Sequence, residues 1–170
     1  PTSSATAALV MGDALAIALL EERKFSPQDF AYLHPGGSLG RRLLMKVDEL
    51  MHTNSEIPIV HPETTVRDTI LEITGKRLGT ALVVDSANKL VGIFTDGDLR
   101  RMAEKDMNFF IRSTGDVMTR NPKTIHPHAI LDEALAVMEK FSIMVLAVVN
   151  DSHEPVGIIH LHDILKSKLV

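Results

Sequence analysis

Four short stretches carry residue types that could do chemistry. In Thr95-Asp96-Gly97-Asp98 an acid follows a threonine by three positions, close to a capping box at a helix start. His160-Leu161-His162-Asp163 sets two imidazoles beside a carboxylate, which invites a metal reading because His and Asp are borderline-to-hard ligands. His34-Pro35-Gly36-Gly37-Ser38-Leu39-Gly40-Arg41-Arg42 is loop chemistry with two cations at its end. It is either an anion cradle of exposed amides or a tight loop with a solvated basic end. His34 itself titrates near neutrality, as a group that moves protons must, although a histidine before Pro-Gly-Gly is also an ordinary loop residue. Arg100-Arg101 is either a surface cation pair or a planar, bidentate anion contact.

Composition limits what these stretches can belong to. With 45% hydrophobic and 24% charged positions among 170 residues, the chain is an ordinary globular sequence, long enough for one domain or two small ones. No cysteine is present, so disulfides, thiolate metal sites and a cysteine nucleophile are out, and a cytoplasmic location is the expectation. A net charge of -4 offers no footprint for nucleic acid or an anionic membrane. The long apolar run at residues 5–20 is interrupted by Asp13 and is read as shorter than a membrane span. It reads instead as a helix capped by Thr2, Ser3 or Ser4, apolar on nearly every face and therefore destined for burial in something larger. Because the chain begins at Pro1, it is expected to be the tail of a longer protein. A second, short helix should start at Ser26-Pro27 and run to about Leu33.

From residue 45 onward the elements repeat. His61-Pro62 recurs as His126-Pro127, Val83-Val84 as Val148-Val149, Val91-Gly92-Ile93 as Val156-Gly157-Ile158 and Asp98 as Asp163, eight identities at a constant offset of 65 residues. A similar lead-in, Val47-Asp48-Glu49-Leu50-Met51 and Gly115-Asp116-Val117-Met118, stands before each block. Within the unit, apolar spacing predicts a short strand, a helix through Val66, Ile70 and Ile73, two β-branched strands joined by Ser86-Ala87-Asn88-Lys89, and a second helix. The expected order is β-α-β-β-α, twice, in an α/β (α+β) fold. The offset also aligns His160 with Thr95, which is no metal ligand, so no metal site is expected and His160 is assigned instead to a hydrogen-bonding or cationic wall.

These paired units resemble tandem CBS domains. Gly92-Ile93-Phe94-Thr95-Asp96-Gly97-Asp98-Leu99 looks like the family's signature of Gly, two apolar residues, Thr, two variable residues, Asp and an apolar residue. Gly157-Ile158-Ile159-His160-Leu161-His162-Asp163-Ile164 keeps the Asp and replaces the Thr with His160. The resemblance implies two repeats packed through their sheets about a pseudo-two-fold axis, with clefts that take nucleotides. Asp98 and Asp163 would hold sugar hydroxyls, Thr95 and the helix start a phosphate, and His160, His162, Thr80, Arg77, Arg100 and Arg101 would line the clefts, with Lys76 beside them. His126 and His128, flanking a proline turn, are expected to face solvent.

The preceding residues narrow the resemblance. Pro1-Thr2-Ser3-Ser4, Gly12-Asp13-Ala14-Leu15-Ala16 and the His34 loop are similar to the end of a sugar isomerase (SIS) domain, in the order found in the bacterial D-arabinose 5-phosphate isomerase family. That resemblance implies residues 1–44 as the SIS remnant, 45–107 and 108–170 as the two CBS repeats, and His34 as a catalytic residue of the full-length enzyme. It also implies conversion of ribulose 5-phosphate to arabinose 5-phosphate for Kdo and lipopolysaccharide synthesis, self-association through both domain types, and no required cofactor. The 170-residue piece alone is expected to be inactive. The expected regulatory ligand is CMP-Kdo or an adenine nucleotide, and the competing expectation is a dimerisation module with unused clefts.

Overall fold

The computed structural model describes residues 2–33, 44–104 and 108–167. His34, Arg41 and Arg42 lie outside the described residues. The chain divides into two compact units, Pro1–Leu44 and Met45–Val170.

In the first unit, α1 (Ser3–Glu22) is capped by Thr2, whose side chain accepts from the Ala5 amide. Every residue of α1 is exposed, including Leu9, Met11, Leu15 and Ile17. At 20 residues with a mean hydropathy of 1.7, α1 is long and apolar enough to cross a membrane. The length argument against a span therefore fails, because the helix extends beyond the apolar run at both ends. Asp13 remains, and an acid near the centre of a span costs about 2.5–3.5 kcal/mol. In α2 (Pro27–Leu33), Ser26 and Asp29 cap one another at 2.8 and 3.2 Å. The Ser26 amide and hydroxyl, donating to Asp29 Oδ2 at 2.8 and 2.7 Å, hold the Asp29 carboxyl below its ordinary range.

The second unit contains the repeat. Its first copy runs β1 (Ile59–Val60), α3 (Val66–Lys76), β2 (Thr80–Val84), β3 (Leu90–Thr95) and α4 (Asp96–Ala103). Then come α5 (Thr114–Val117) and β4 (Thr119–Arg120), and the second copy follows as β5 (Thr124–Ile125), α6 (Leu131–Phe141), β6 (Val145–Val149), β7 (Pro155–His160) and α7 (Leu161–Lys166). The registers coincide at the 65-residue offset. Leu82 faces Ile93 as Ala147 faces Ile158, and both hairpins shift register at the same place, Val83/Val84 and Val148/Val149.

Burial on both faces explains why the middle strands read as continuous apolar runs rather than alternating ones. In β2, Ala81 and Val83 face a core with Val66, Ile73 and Phe94, while Leu82 turns to the other face. There Leu82 and Ile93 join Ala147, Val149 and Ile158, so the two sheets share one apolar layer.

The lead-ins change places, which the repeat pattern does not announce. Val47 is fully buried in the second copy's core with Leu131, Met138 and Ile164, and its amide bonds the Ala129 carbonyl at 2.9 Å. Met118 reciprocally sits in the first copy's core, and the Gly115 amide bonds the Pro62 carbonyl at 2.8 Å. Thr114 adds a buried hydroxyl pair with Thr69 at 2.6 Å. Asp48 of the first lead-in reaches His128 of the second copy at 3.0 Å.

Candidate functional site

Each copy runs from its last strand straight into its last helix with no loop, so the cap residue is also a strand residue. Thr95 is extended at φ -125°, ψ 164° and ends β3 opposite Thr80. Its hydroxyl accepts from the Asp98 amide at 3.3 Å, and Asp98 accepts the Thr95 amide at 2.9 Å and its hydroxyl at 2.8 Å. That is a closed capping box. The other oxygen, Asp98 Oδ1, accepts from Arg101 Nη2 at 2.6 Å and from Thr119 Oγ1 at 3.4 Å. Asp98 is buried.

The second helix start is built differently. His160 takes the place of Thr95, and its Nδ1 accepts from the His162 amide at 3.0 Å. A ring nitrogen in that role carries no proton, and burial pushes the His160 pKa below the ordinary histidine value. Asp163 accepts from no cap residue among the described residues; instead its Oδ2 meets His52 Nε2 at 2.9 Å. The other ring nitrogen of His52 faces Glu56 Oε2 at 3.1 Å. Burial opposes the charged ring, but hydrogen bonds to Asp163 and Glu56 and their negative charges outweigh it, so the His52 pKa is raised.

His52 and Thr119 are the residues that sequence reasoning missed. Both come from the exchanged lead-ins, each directly after the methionine that packs on the opposite copy's glycine. A Cβ on Gly157 would lie 2.4 Å from Met51 Sδ, and one on Gly92 would lie 2.3 Å from Met118 Sδ. Aligning the two lead-ins on Met51 and Met118 would have placed His52 opposite Thr119. The signal was present but is only one residue long.

Of the residues singled out from sequence, Thr95, Asp98 and Arg101 come together at the first helix start, and His160 and Asp163 at the second. Thr80 is fully buried and donates its hydroxyl to the Phe94 carbonyl at 3.2 Å. Arg77 caps α3 in the left-handed region at φ 59° and is exposed, as are Arg100 and His162. Lys76 donates to the Ser55 carbonyl on the turn before β1. His126 and His128 are exposed. Among the described residues no three His, Asp or Glu side chains converge as a metal site would require.

A sequence profile described as the CBS domain matches residues 47–105 and 115–169. The chain is 51% identical over 169 residues to arabinose 5-phosphate isomerase KdsD of Francisella tularensis, covering 99% of this chain and 51% of that protein. It therefore spans about half the length of the curated relatives it matches. Among solved structures, the CBS domain pair of protein MJ0100, in complex with 5'-methylthioadenosine and S-adenosyl-L-methionine, superposes with a TM-score of 0.67. Its identity is 23%, over 74% of this chain and 96% of that one. CBS domain protein PAE2072 of Pyrobaculum aerophilum, complexed with AMP, gives 0.64 at 19% identity, over 70% of this chain and 89% of that one.

Proposed function

The chain belongs to the CBS domain family, and from that premise we propose that it is the regulatory ligand-binding part of an arabinose 5-phosphate isomerase. A nucleotide-type ligand held at the signature helix starts favours one arrangement of the pair and biases an isomerase active site. The observation that carries this reading is Asp98. It is a buried carboxylate at the first turn of α4, with a hydroxyl and a guanidinium beside it, and such a group can exchange its present donors for the paired hydroxyls of a ribose. Similarity to CBS pairs complexed with AMP or S-adenosyl-L-methionine supports an adenine nucleotide.

CMP-Kdo is the ligand we favour, because the sugar-acid pathway implied by the isomerase relatives ends in a molecule that is both a nucleotide and a carboxylate. Asp98 would take its ribose hydroxyls, the Thr95 helix start its phosphate, and Arg101 or His160 and His162 its carboxylate. Thr80, Arg77 and Arg100 are assigned to the surroundings of the bound ligand. Residues 1–44 are the end of the SIS domain in this reading, 45–107 and 108–170 are the CBS repeats, and His34 works in the active site of a cytoplasmic, self-associating parent enzyme. Residues 1–170 alone have no turnover.

A structural role has one observation in its favour: the donors around Asp98 already satisfy it, so the capping box closes without a ligand. Calorimetry separates the two. CMP-Kdo or AMP should release heat on binding, and Asp98→Asn should weaken that binding by about 1.5–3 kcal/mol, the worth of charge-assisted bonds. Thermal unfolding of the same variant checks that the fold survives. No heat with either compound at millimolar concentration, or equal affinity in the folded variant, leaves the structural role standing.

A further inference from the structure

His52 has a carboxylate at each ring nitrogen: Asp163 Oδ2 at 2.9 Å and Glu56 Oε2 at 3.1 Å. An ionised carboxylate only accepts, and a neutral imidazole has one N–H to give, so only the imidazolium serves both partners. The backbone from which the ring projects is fixed, because it is bridged to Ile158 in both directions, at 2.8 and 3.0 Å. Met51, the residue before it, is wedged over Gly157. Among the described residues the bridge has no counterpart in the first copy. Thr119 stands where His52 would, and the short turn Asn54–Glu56, which supplies the second carboxylate, has no equivalent between Thr119 and β5.

We propose that His52 is a proton-operated latch on the second copy: as an imidazolium it ties Asp163 to Glu56, and a ligand that takes Asp163 through paired hydroxyls displaces the ring and releases its proton. The displacement step rests on the ligand-binding reading above; the latch does not. Three elements present titratable groups to the ring. They are Glu56 from the turn before β1, Asp163 from α7 and His160 from the end of β7, with His162 behind it. His160 is held neutral by burial and by its acceptor role, so it does not compete for the carboxylate. At the first copy the corresponding partners of Asp98 are Thr119 and Arg101, neither of which titrates near neutrality. Proton-linked binding is therefore a property of the second copy alone.

The latch is tested by NMR titration of the His52 ring in the ligand-free chain. Its midpoint should lie above the ordinary histidine value of about 6.5, drop in Asp163→Asn, and drop by a smaller step in Glu56→Gln. A midpoint at or below the ordinary value, or one that neither variant moves, overturns it. The displacement step is tested by calorimetry with AMP in the Asp98→Ala variant, so that the second copy is observed alone. Affinity should rise as pH rises from about 5.5 to about 8.5, by up to about tenfold per pH unit, as one released proton allows, and should become independent of pH when His52→Gln is added. A flat profile with His52 intact, or a slope that survives His52→Gln, overturns the step. AMP binding that needs Asp98 intact overturns the displacement step alone. Absence of binding of both AMP and CMP-Kdo at every pH in the unaltered chain overturns it together with the ligand reading, while the NMR titration still decides the latch.

Discussion

Asp98 and Asp163 occupy equivalent positions yet are held by different partners. Asp98 accepts from a threonine amide, two hydroxyls and a guanidinium, whereas Asp163 is bonded to the His52 ring. The difference makes a stability prediction with a definite sign. His52 has a raised folded pKa, so its contribution is complete below the ordinary value of about 6.5 and is lost as pH rises through the folded value. His160 has a lowered one, so its contribution is complete above that same value and is lost as pH falls. Thermal midpoints should therefore peak near pH 6–7, by order of magnitude. His52→Gln should flatten the alkaline side of the profile, and His160→Asn, whose amide oxygen can still cap α7, should flatten the acid side. A profile that both variants leave unchanged would show that neither ring is coupled to folding. The signature aspartates were legible from the 65-residue offset. The histidine latch was not, because it joins residues 111 positions apart and nothing local marks Asp163's partner.

Helices and middle strands emerged from sequence nearly as they stand. The helix predicted through Val66 begins at that residue, and the two strands predicted on either side of Ser86-Ala87-Asn88-Lys89 are β2 and β3, since two-sided burial and a threonine cap leave strong local patterns. β4 was not foreseen. Two residues cannot show a period, and its partner β3 is chosen by tertiary contact with Met118 rather than by propensity. The methionine-on-glycine contacts that seat the lead-ins yield a prediction at this scale. Gly92→Ala should cost about 1–3 kcal/mol, the usual penalty of overpacking. Gly157→Ala should cost more, because its Cβ would also press the His52 carbonyl at 3.1 Å, which cannot rotate away. Combining Gly92→Ala with Met118→Ala should lose less than the sum of the single changes, and urea unfolding of the four chains measures the difference. Strict additivity would show that the methionine does not sense the added methyl.

Over the whole chain, the exchange makes the second unit one cooperative body, although its sequence reads as two consecutive domains. Val47 precedes the first repeat but is fully buried in the core of the second. Val47→Ala should therefore cost about 2 kcal/mol, in the range for truncating a buried aliphatic chain. Its effect should also appear at both repeats together, as an equal loss of amide-exchange protection in β2 and β6. Loss confined to β6 would mean that the repeats unfold separately. Sequence could reveal the duplication because repetition is a property of the string. Which copy a lead-in docks on is a property of space, and both choices leave the string identical.

The same exchange says what a chain carrying a single unit would have to be. With one lead-in and one body, Met51 would have no glycine to cover but that of another molecule, and that molecule's lead-in would return the contact. Such a chain would fold only as a symmetric dimer with swapped arms. Joining two copies end to end turns that dimer into one polypeptide without moving an atom of its core. It also frees the two halves to diverge, one keeping a threonine at its helix start and the other acquiring a histidine.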